Sequence, residues 1–267
     1  MMNYSVVIVA RDQPRQLLGT LLALRKHAQP DEVLLVDNAS DGDLRGVAAL
    51  SQLPLRRIRL TEGVSLGAAF NAGIDAAARD FVLLLHGDVL LEADPAEGFT
   101  LFANSPDLGV AGAKLFQDAP PPRRLLHAGY RIAPGQTWAT TIGRNEWDRY
   151  PATRAVDAVS DACMLLRRTD LRFDERYWFQ LEDVDLCLQY RRRGYRILSL
   201  ATVTAAHLEQ GGFRERRTDP GWAARELATR WLHHERCCAA QDGTWPAGVR
   251  GSDVDAFFRQ SETLLAG

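Results

Sequence analysis

No stretch of this sequence strings together the roughly 18 apolar residues that a membrane-spanning helix needs, and the N-terminus lacks the basic start and long apolar run of a secretory signal. These absences predict a cytoplasmic chain. Cysteine is scarce: Cys163, Cys187, Cys237 and Cys238 have neither the paired spacing of a structural zinc site nor the density of a disulfide scaffold, so they read as reduced thiols. Lysine is scarcer still, with only Lys26 and Lys114, and the 32 basic residues are therefore nearly all arginine. Set against 34 acidic residues they leave a formal net charge of -2, which argues against nucleic acid as a partner, because no broad basic surface is available to displace counterions. Two nucleotide-binding loops are missing as well. The segment from Gly63 to Gly73 has neither a glycine-rich loop ending in Lys-Ser or Lys-Thr nor a G-x-G-x-x-G, which weakens the kinase and dehydrogenase readings.

What is present is a globular composition, 46% hydrophobic and 25% charged over 267 residues, enough for one large domain or two intimate halves. Its most informative run is Phe81-Val82-Leu83-Leu84-Leu85-His86-Gly87-Asp88, continuing to Leu91. Five apolar residues running into a glycine and an acid predict a buried parallel strand, and ligands in open α/β sheets bind beyond the carboxyl ends of such strands. An ordinary strand and turn, with Gly87 present for backbone freedom, is the competing explanation. Strands are also expected at Tyr4 to Ala10, Glu32 to Val36, Leu55 to Leu60 and Leu108 to Phe116. Between them the pattern predicts helices: from Pro14, with Leu17, Leu18, Leu21 and Leu22 on one face, around Leu44 to Leu50, over Ser65 to Ala78, and from Pro95. That alternation implies right-handed crossovers and a parallel sheet. Asp37, opening the turn-forming cluster Asp37-Asn38-Ala39-Ser40-Asp41-Gly42, then stands at a strand end as Asp88 does.

Residues 118–155 are the least periodic part, interrupted by Pro120, Pro121 and Pro122 and holding Tyr130, Trp138, Trp147 and Tyr150, whose rings suit either stacking on a sugar or covering the core. A second informative stretch runs from Val159-Ser160-Asp161-Ala162-Cys163-Met164 to Leu181-Glu182-Asp183-Val184-Asp185-Leu186-Cys187-Leu188. Helical spacing there puts Leu181, Val184, Cys187 and Leu188 on a buried face and Glu182 and Asp183 in the first turn. Anions in that turn are stabilised by the helix dipole, and a carboxylate fixed there can equally act as a general base. The arginine groups at Arg191 to Arg193 and at Arg214, Arg216 and Arg217 suit phosphate or carboxylate, or simply reflect the arginine-rich composition. After Asp219-Pro220, an apolar face of Ala224, Leu227, Ala228, Trp231 and Leu232 predicts a helix able to pack on the core, form a homodimer or make peripheral contact with an anionic membrane. A zinc site at His233, His234, Cys237 and Cys238 is disfavoured, because adjacent cysteines chelate one ion poorly.

Taken in order, Val36-Asp37-Asn38-Ala39-Ser40-Asp41-Gly42, Asn71-Ala72-Gly73, Asp88-Val89-Leu90-Leu91, Ser160-Asp161-Ala162-Cys163-Met164-Leu165 and Glu182-Asp183-Val184-Asp185-Leu186-Cys187 resemble the motifs of family 2 glycosyltransferases, and within them the rhamnosyltransferase-like branch. The resemblance covers roughly Tyr4 to His207. It implies an α/β fold of the GT-A type, with a Rossmann-like, mostly parallel central sheet flanked by helices. Residues 1–117 would form the nucleotide-sugar-binding half, 118–208 the acceptor-binding and catalytic half of the same domain, and 209–267 a C-terminal lid and helical tail.

The implied activity is inverting transfer of a hexosyl or deoxyhexosyl group from a nucleotide-diphosphate sugar donor to a glycan, lipid-linked or protein acceptor, as in bacterial surface polysaccharide biosynthesis, with Mg²⁺ or Mn²⁺ as cofactor. A degenerate member that binds nucleotide or glycan without transfer is the alternative. By resemblance Asp37, with Asn38 beside it, matches the acid that recognises the base, and Asn71 a donor contact. Asp88 matches the last acid of the metal-holding Asp-x-Asp. Asp183 matches the catalytic base, with Glu182 its partner, and His207 a histidine near the metal, with packing as its competing role. Arg214 and Arg216 are candidates to close over the diphosphate. One departure stands out: His86 occupies the place of the motif's first acid, and an imidazole prefers borderline metals.

Overall fold

The computed structural model describes residues 3–118, 123–132, 140–141, 152–177 and 181–208. The N-terminal part alternates strand and helix: β1 (Ser5–Ala10), α1 (Pro14–His27), β2 (Glu32–Asp37), α2 (Arg45–Ser51), β3 (Leu55–Arg59), α3 (Leu66–Ala76) and β4 (Phe81–His86). These strands pair parallel in the order β3-β2-β1-β4, the three inner ones as continuous apolar runs and β3, with three arginines, at the edge. After β4 come β5 (Val89–Leu91), α4 (Ala96–Asn104), β6 (Leu108–Gln117), β7 (Leu125–His127), β8 (Tyr130–Arg131), β9 (Thr140–Thr141), β10 (Arg154–Ala155), β11 (Cys163–Arg167), α5 (Glu182–Arg192) and β12 (Arg196–His207).

The sheet extends beyond β4 as β4-β11-β6-β12-β10 and becomes mixed there, since β11 runs antiparallel to both β4 and β6 while β6 and β12 run parallel. The parallel character expected from the alternation is unbroken from β3 to β4 and returns in the pairing of β6 with β12. Strand β5 leaves the line of β4 at Gly87 and pairs antiparallel with the end of β12. The reversal of β11 shapes one edge of the sheet. Parallel strands bring their carboxyl ends to that edge, and an antiparallel neighbour brings its amino end to the same place. The turns after β1, β2 and β4, the Ser160-Asp161-Ala162 approach to β11 and the end of β12 are thereby gathered together.

Apolar side chains fill both faces of the sheet. One layer holds Leu17, Leu21 and Leu24 of α1 with Phe99 and Phe102 of α4. The other holds Phe70 and Ile74 of α3 with Val184, Leu186, Cys187 and Tyr190 of α5. Helix α1 begins at Pro14 as expected, but its buried face is Leu17, Thr20, Leu21 and Leu24, and Leu22 is exposed. A 3.6-residue turn carries the stripe through i, i+3, i+4 and i+7, which excludes Leu22. Ser65 caps α3, its hydroxyl accepting the Ala68 N–H at 3.2 Å. Gly73 then lets α3 lie on the sheet, since a Cβ there would stand 2.2 Å from Val7 Cγ1. Gly87 has a similar reason. Its N–H donates to Val9 O at 2.9 Å, and a Cβ would meet Ala10 Cβ at 2.8 Å, so close approach to β1, more than backbone freedom, requires glycine. No described helix is long and apolar enough to cross a membrane.

Candidate functional site

Two histidines and an acid converge at the gathered edge. His86 is the last residue of β4, Asp88 lies just past the Gly87 turn, and His207 ends β12. Pairing of His207 with Val89 across β12 and β5 brings its ring beside Asp88, with His207 Nε2 3.3 Å from Asp88 Oδ1. One potential ligand atom from each of His86, Asp88 and His207 lies within 4.8 Å of the others, a group able to hold a metal among the described residues. All three are partly open to solvent. Two imidazoles and a carboxylate form a mixed nitrogen and oxygen set that fits a divalent transition metal such as Mn²⁺. His86 is held on one side by Phe70, whose ring stacks 5.8 Å away, and its Nε2 lies 3.2 Å from Asp161 Oδ1.

Behind this group lies a buried acid cluster. Asp161 approaches from the amino end of β11, and Glu182 and Asp183 open α5. Both acids lie in the first turn of α5, as expected, and both are buried there. Asp183 Oδ1 accepts the Val184 N–H at 2.8 Å and its Oδ2 accepts from the Tyr130 hydroxyl at 3.3 Å. Burial first, then the nearby Asp161, push the Asp183 carboxyl up to about 8. Burial, Asp161 and Asp183 hold Glu182 well above the carboxylate range, and its Oε2 has no partner among the described residues. For His86 burial favours the neutral ring, but Asp161, Asp88 and Asp183 outweigh it and the pKa is raised. Asp88 shows the reverse balance: burial disfavours its charge, yet His207 and His86 keep its pKa lowered.

Three non-glycine residues around this edge have left-handed backbone: Asp12 at φ 52° after β1, Ala39 at φ 53° after β2, and Leu181 at φ 66° before α5. Such conformations cost energy and concentrate at functional sites.

The residues expected to contact the donor make the following contacts within the protein. Asp37 is completely buried; its Oδ1 accepts the Ser40 N–H at 2.9 Å, while Oδ2 takes Arg57 and, at 2.9 Å, Arg59. Burial opposes its charge, but Arg57 and Ser40 win and the pKa is lowered. Asn38 clamps Val64, donating to its carbonyl and accepting from its N–H, each at 2.9 Å. Asn71 does the same to Phe173, at 2.9 Å to its carbonyl and 3.0 Å from its N–H, and also donates to Glu175. In the structure these side chains are cross-links between loops, engaged within the protein. Arg214, Arg216, Arg217, the tail helix, the 233–238 His/Cys group, Trp138, Trp147 and Tyr150 lie outside the described residues.

Three residues of the site have no role that the sequence assigns. Asp161 stands inside a family motif, but no spacing ties it to His86, which is far away along the chain. Tyr130 is one aromatic among several. His127 carries no motif at all; its Nδ1 accepts the Gly129 N–H at 3.1 Å, its ring centroid is 4.2 Å from that of Tyr130, and burial drives its pKa down to about 3. The proton then sits on Nε2, which is buried without a partner among the described residues. Cys163 and Cys187 are buried free thiols, as expected.

With this geometry in view, comparison with known proteins gives consistent results. The family described as "Glycosyltransferase like family 2" matches residues 2–233. The "O-antigen biosynthesis protein RfbC" of Myxococcus xanthus is 27% identical over 234 residues, which span 79% of this chain and 18% of that protein. The chain spans about a fifth of the length of the curated relatives it matches. Among solved structures, GalNAc-T7 with UDP, GalNAc and Mn²⁺ superposes with a TM-score of 0.67 at 12% identity, covering 98% of this chain and 54% of that one. The mannosyltransferase PcManGT from Pyrobaculum calidifontis, in complex with GDP-Man and Mn²⁺, gives 0.58 at 16% identity, covering 98% and 74%. At these identities the structural likeness shows the GT-A fold.

Proposed function

This chain belongs to glycosyltransferase family 2, and from that premise we propose that it moves a sugar from a nucleotide-diphosphate donor to an acceptor hydroxyl with inversion at the anomeric carbon. The observation that carries the reading is the convergence of His86, Asp88 and His207 beside the buried Asp183 at the gathered sheet edge. Asp88, His86 and His207 would hold Mn²⁺ or Mg²⁺, which when bound neutralises charge on the leaving diphosphate. Asp183 is the general base: a carboxyl whose pKa is raised toward neutrality is matched to accept a hydroxyl proton, and the Tyr130 hydroxyl fixes its orientation. Glu182 supports it from the same turn. Direct displacement with one base inverts the centre.

Asp37, Asn38 and Asn71 serve by holding the donor-side loops, with Asp37 presenting Arg57 and Arg59 at the strand end where a base would lie. Arg214 and Arg216 are proposed to close over the diphosphate, residues 1–117 to form the donor half, 118–208 the acceptor half and 209–267 the lid and tail. Similarity to an O-antigen biosynthesis protein favours a surface polysaccharide precursor or lipid-linked saccharide over a protein acceptor, and a place at the cytoplasmic face of the membrane. The test is a thermal-shift screen of UDP, GDP and dTDP with and without Mn²⁺, because ligands that bind the native state raise its melting temperature. Metal-dependent stabilisation lost in Asp88→Ala supports the assignment; unchanged metal dependence there refutes it. The histidine at position 86 keeps a second reading in play, binding without transfer, which a turnover assay beside the binding assay separates.

A further inference from the structure

We propose that Asp161 is a positioning residue that supplies, from across the sheet, the carboxylate missing at position 86, holding His86 as a nitrogen ligand in a site that prefers Mn²⁺ to Mg²⁺. The inference rests on the reading of His86, Asp88 and His207 as the donor-metal site. Its support begins with the backbone. Strand β11 runs antiparallel to β4 with Cys163 opposite Leu85, and the His86 N–H donates to Ala162 O at 3.1 Å. Asp161 is thus delivered next to His86 by the ladder itself and does not depend on a long side chain finding its way. Its Oδ1 lies 3.2 Å from His86 Nε2, and its Oδ2 is buried with no partner among the described residues. The pair stands at ion-pair distance.

The chemistry gives that contact a purpose. An imidazole binds metal through one nitrogen, and a carboxylate on the other N–H fixes the tautomer, sets the ring orientation and raises the basicity of the ligating nitrogen. With Nε2 turned to Asp161, Nδ1 is the nitrogen left for the metal. Charge points the same way: His86 and Asp88 alone would offer one negative charge to a divalent cation, where a motif with two acids offers two, and Asp161 restores the second. The donors reaching the ion still include two imidazoles, a set that suits Mn²⁺ and heavier ions better than Mg²⁺, which favours oxygen ligands. Asp161 also changes the expectation for restoring the motif. His86→Asp alone would set a new acid against Asp161 and should bind metal no more tightly than the wild type, whereas His86→Asp with Asp161→Asn should gain Mg²⁺ affinity.

The experiment measures uptake of Mn²⁺ alone and Mg²⁺ alone by calorimetry, with Mn²⁺ also followed by EPR, and records the metal-free melting temperature of each variant. Asp161→Asn should weaken Mn²⁺ binding roughly 10- to 100-fold, shrink the preference for Mn²⁺ over Mg²⁺, and leave the metal-free melting temperature unchanged or higher. In a His86→Ala background the same change should add no further loss, since its effect passes through the imidazole. Asp161→Ser serves the same cycle should the amide prevent folding. If wild type binds Mn²⁺ and Asp88→Ala does not, the site reading stands; unchanged Mn²⁺ affinity in Asp161→Asn, or an equal loss with and without His86, then overturns the inference alone. Parallel losses for both metals with a lowered melting temperature would show a structural role and overturn it too. No Mn²⁺ uptake by the wild type overturns both.

Discussion

Two polar clusters occupy the same edge of the sheet and are built on opposite principles. Around Asp37 every contact closes: Arg57, Arg59 and Ser40 take its oxygens, and Asn38 grips both backbone groups of Val64. Around Asp161 the contacts stay open, because Asp161 Oδ2, Glu182 Oε2 and His127 Nε2 are buried without hydrogen-bond partners among the described residues, and His86 Nε2 has only the 3.2 Å approach of Asp161 Oδ1. An unmet buried polar atom costs about 1–3 kcal/mol, so a fold tolerates several together only where something other than stability is served. The closed cluster lowers its acid's pKa, and the open one raises those of Glu182 and Asp183. Charge in the first is architecture. In the proposed function, charge in the second serves binding and proton transfer.

The contrast can be broken at its strongest point by Asp183→Asn. The amide keeps the shape and one acceptor oxygen but cannot take a proton at neutral pH, so single-turnover transfer should fall roughly 10²- to 10⁴-fold while donor affinity barely moves. Loss of donor binding instead would put Asp183 in the donor site. Glu182→Gln, tested in the same assay, should be the milder change. On the closed side, Asp37→Ala should cost about 2 kcal/mol in urea denaturation, toward the low end for a charged network because Arg59 is half exposed and water can replace its partner. An unmoved urea midpoint would mean the closed cluster contributes nothing to the fold. Asn71→Ala removes its clamp on Phe173 and should cost about 1–2 kcal/mol by the same measurement, without changing the metal preference.

The smallest expected effect is a slope. Asp183 titrates near 8 in the fold against roughly 4 when unfolded, so between those values the native state holds more protons and stability must fall as pH rises. His86, raised above its unfolded value of about 6.5, adds to that fall, its contribution being full below that value and lost as pH climbs through the folded one. Asp37 and Asp88, both lowered, act the other way, contributing above roughly pH 4 and losing stability as pH drops through their folded values. Melting temperatures of the metal-free protein from about pH 6 to 8.5 should therefore decline, and Asp183→Asn should flatten the decline. An equal slope in the variant would show that the open cluster does not titrate in this range.

Much of the frame is legible in the sequence because local rules suffice for it. Apolar runs bounded by turn residues locate β1, β2, β4 and β6, Pro14 marks the start of α1, and the strand-end positions of Asp37 and Asp88 follow from where those runs stop. The donor contacts are less legible. Asn38 and Asn71 have the chemistry of ligand-binding amides, and only the positions of Val64 and Phe173 in space show which backbone groups they hold. The face of α1 differs from the expected one for a simpler reason: leucine fills both Leu21 and Leu22, so composition cannot say which points inward.

By itself the sequence determined the strand-helix alternation, the family and the candidate site residues, since periodicity and short motifs are properties of neighbours along the chain. Only the tertiary structure decided which of them act together. The reversal of β11 beside β4 sets Asp161 against His86, and the pairing of β12 with β5 sets His207 against Asp88; sheet register joins residues that no local pattern relates. Burial did the rest, turning acids that a helix dipole would keep charged in water into groups whose protons are held toward neutral pH, because desolvation and like charge outweigh the dipole once water is removed.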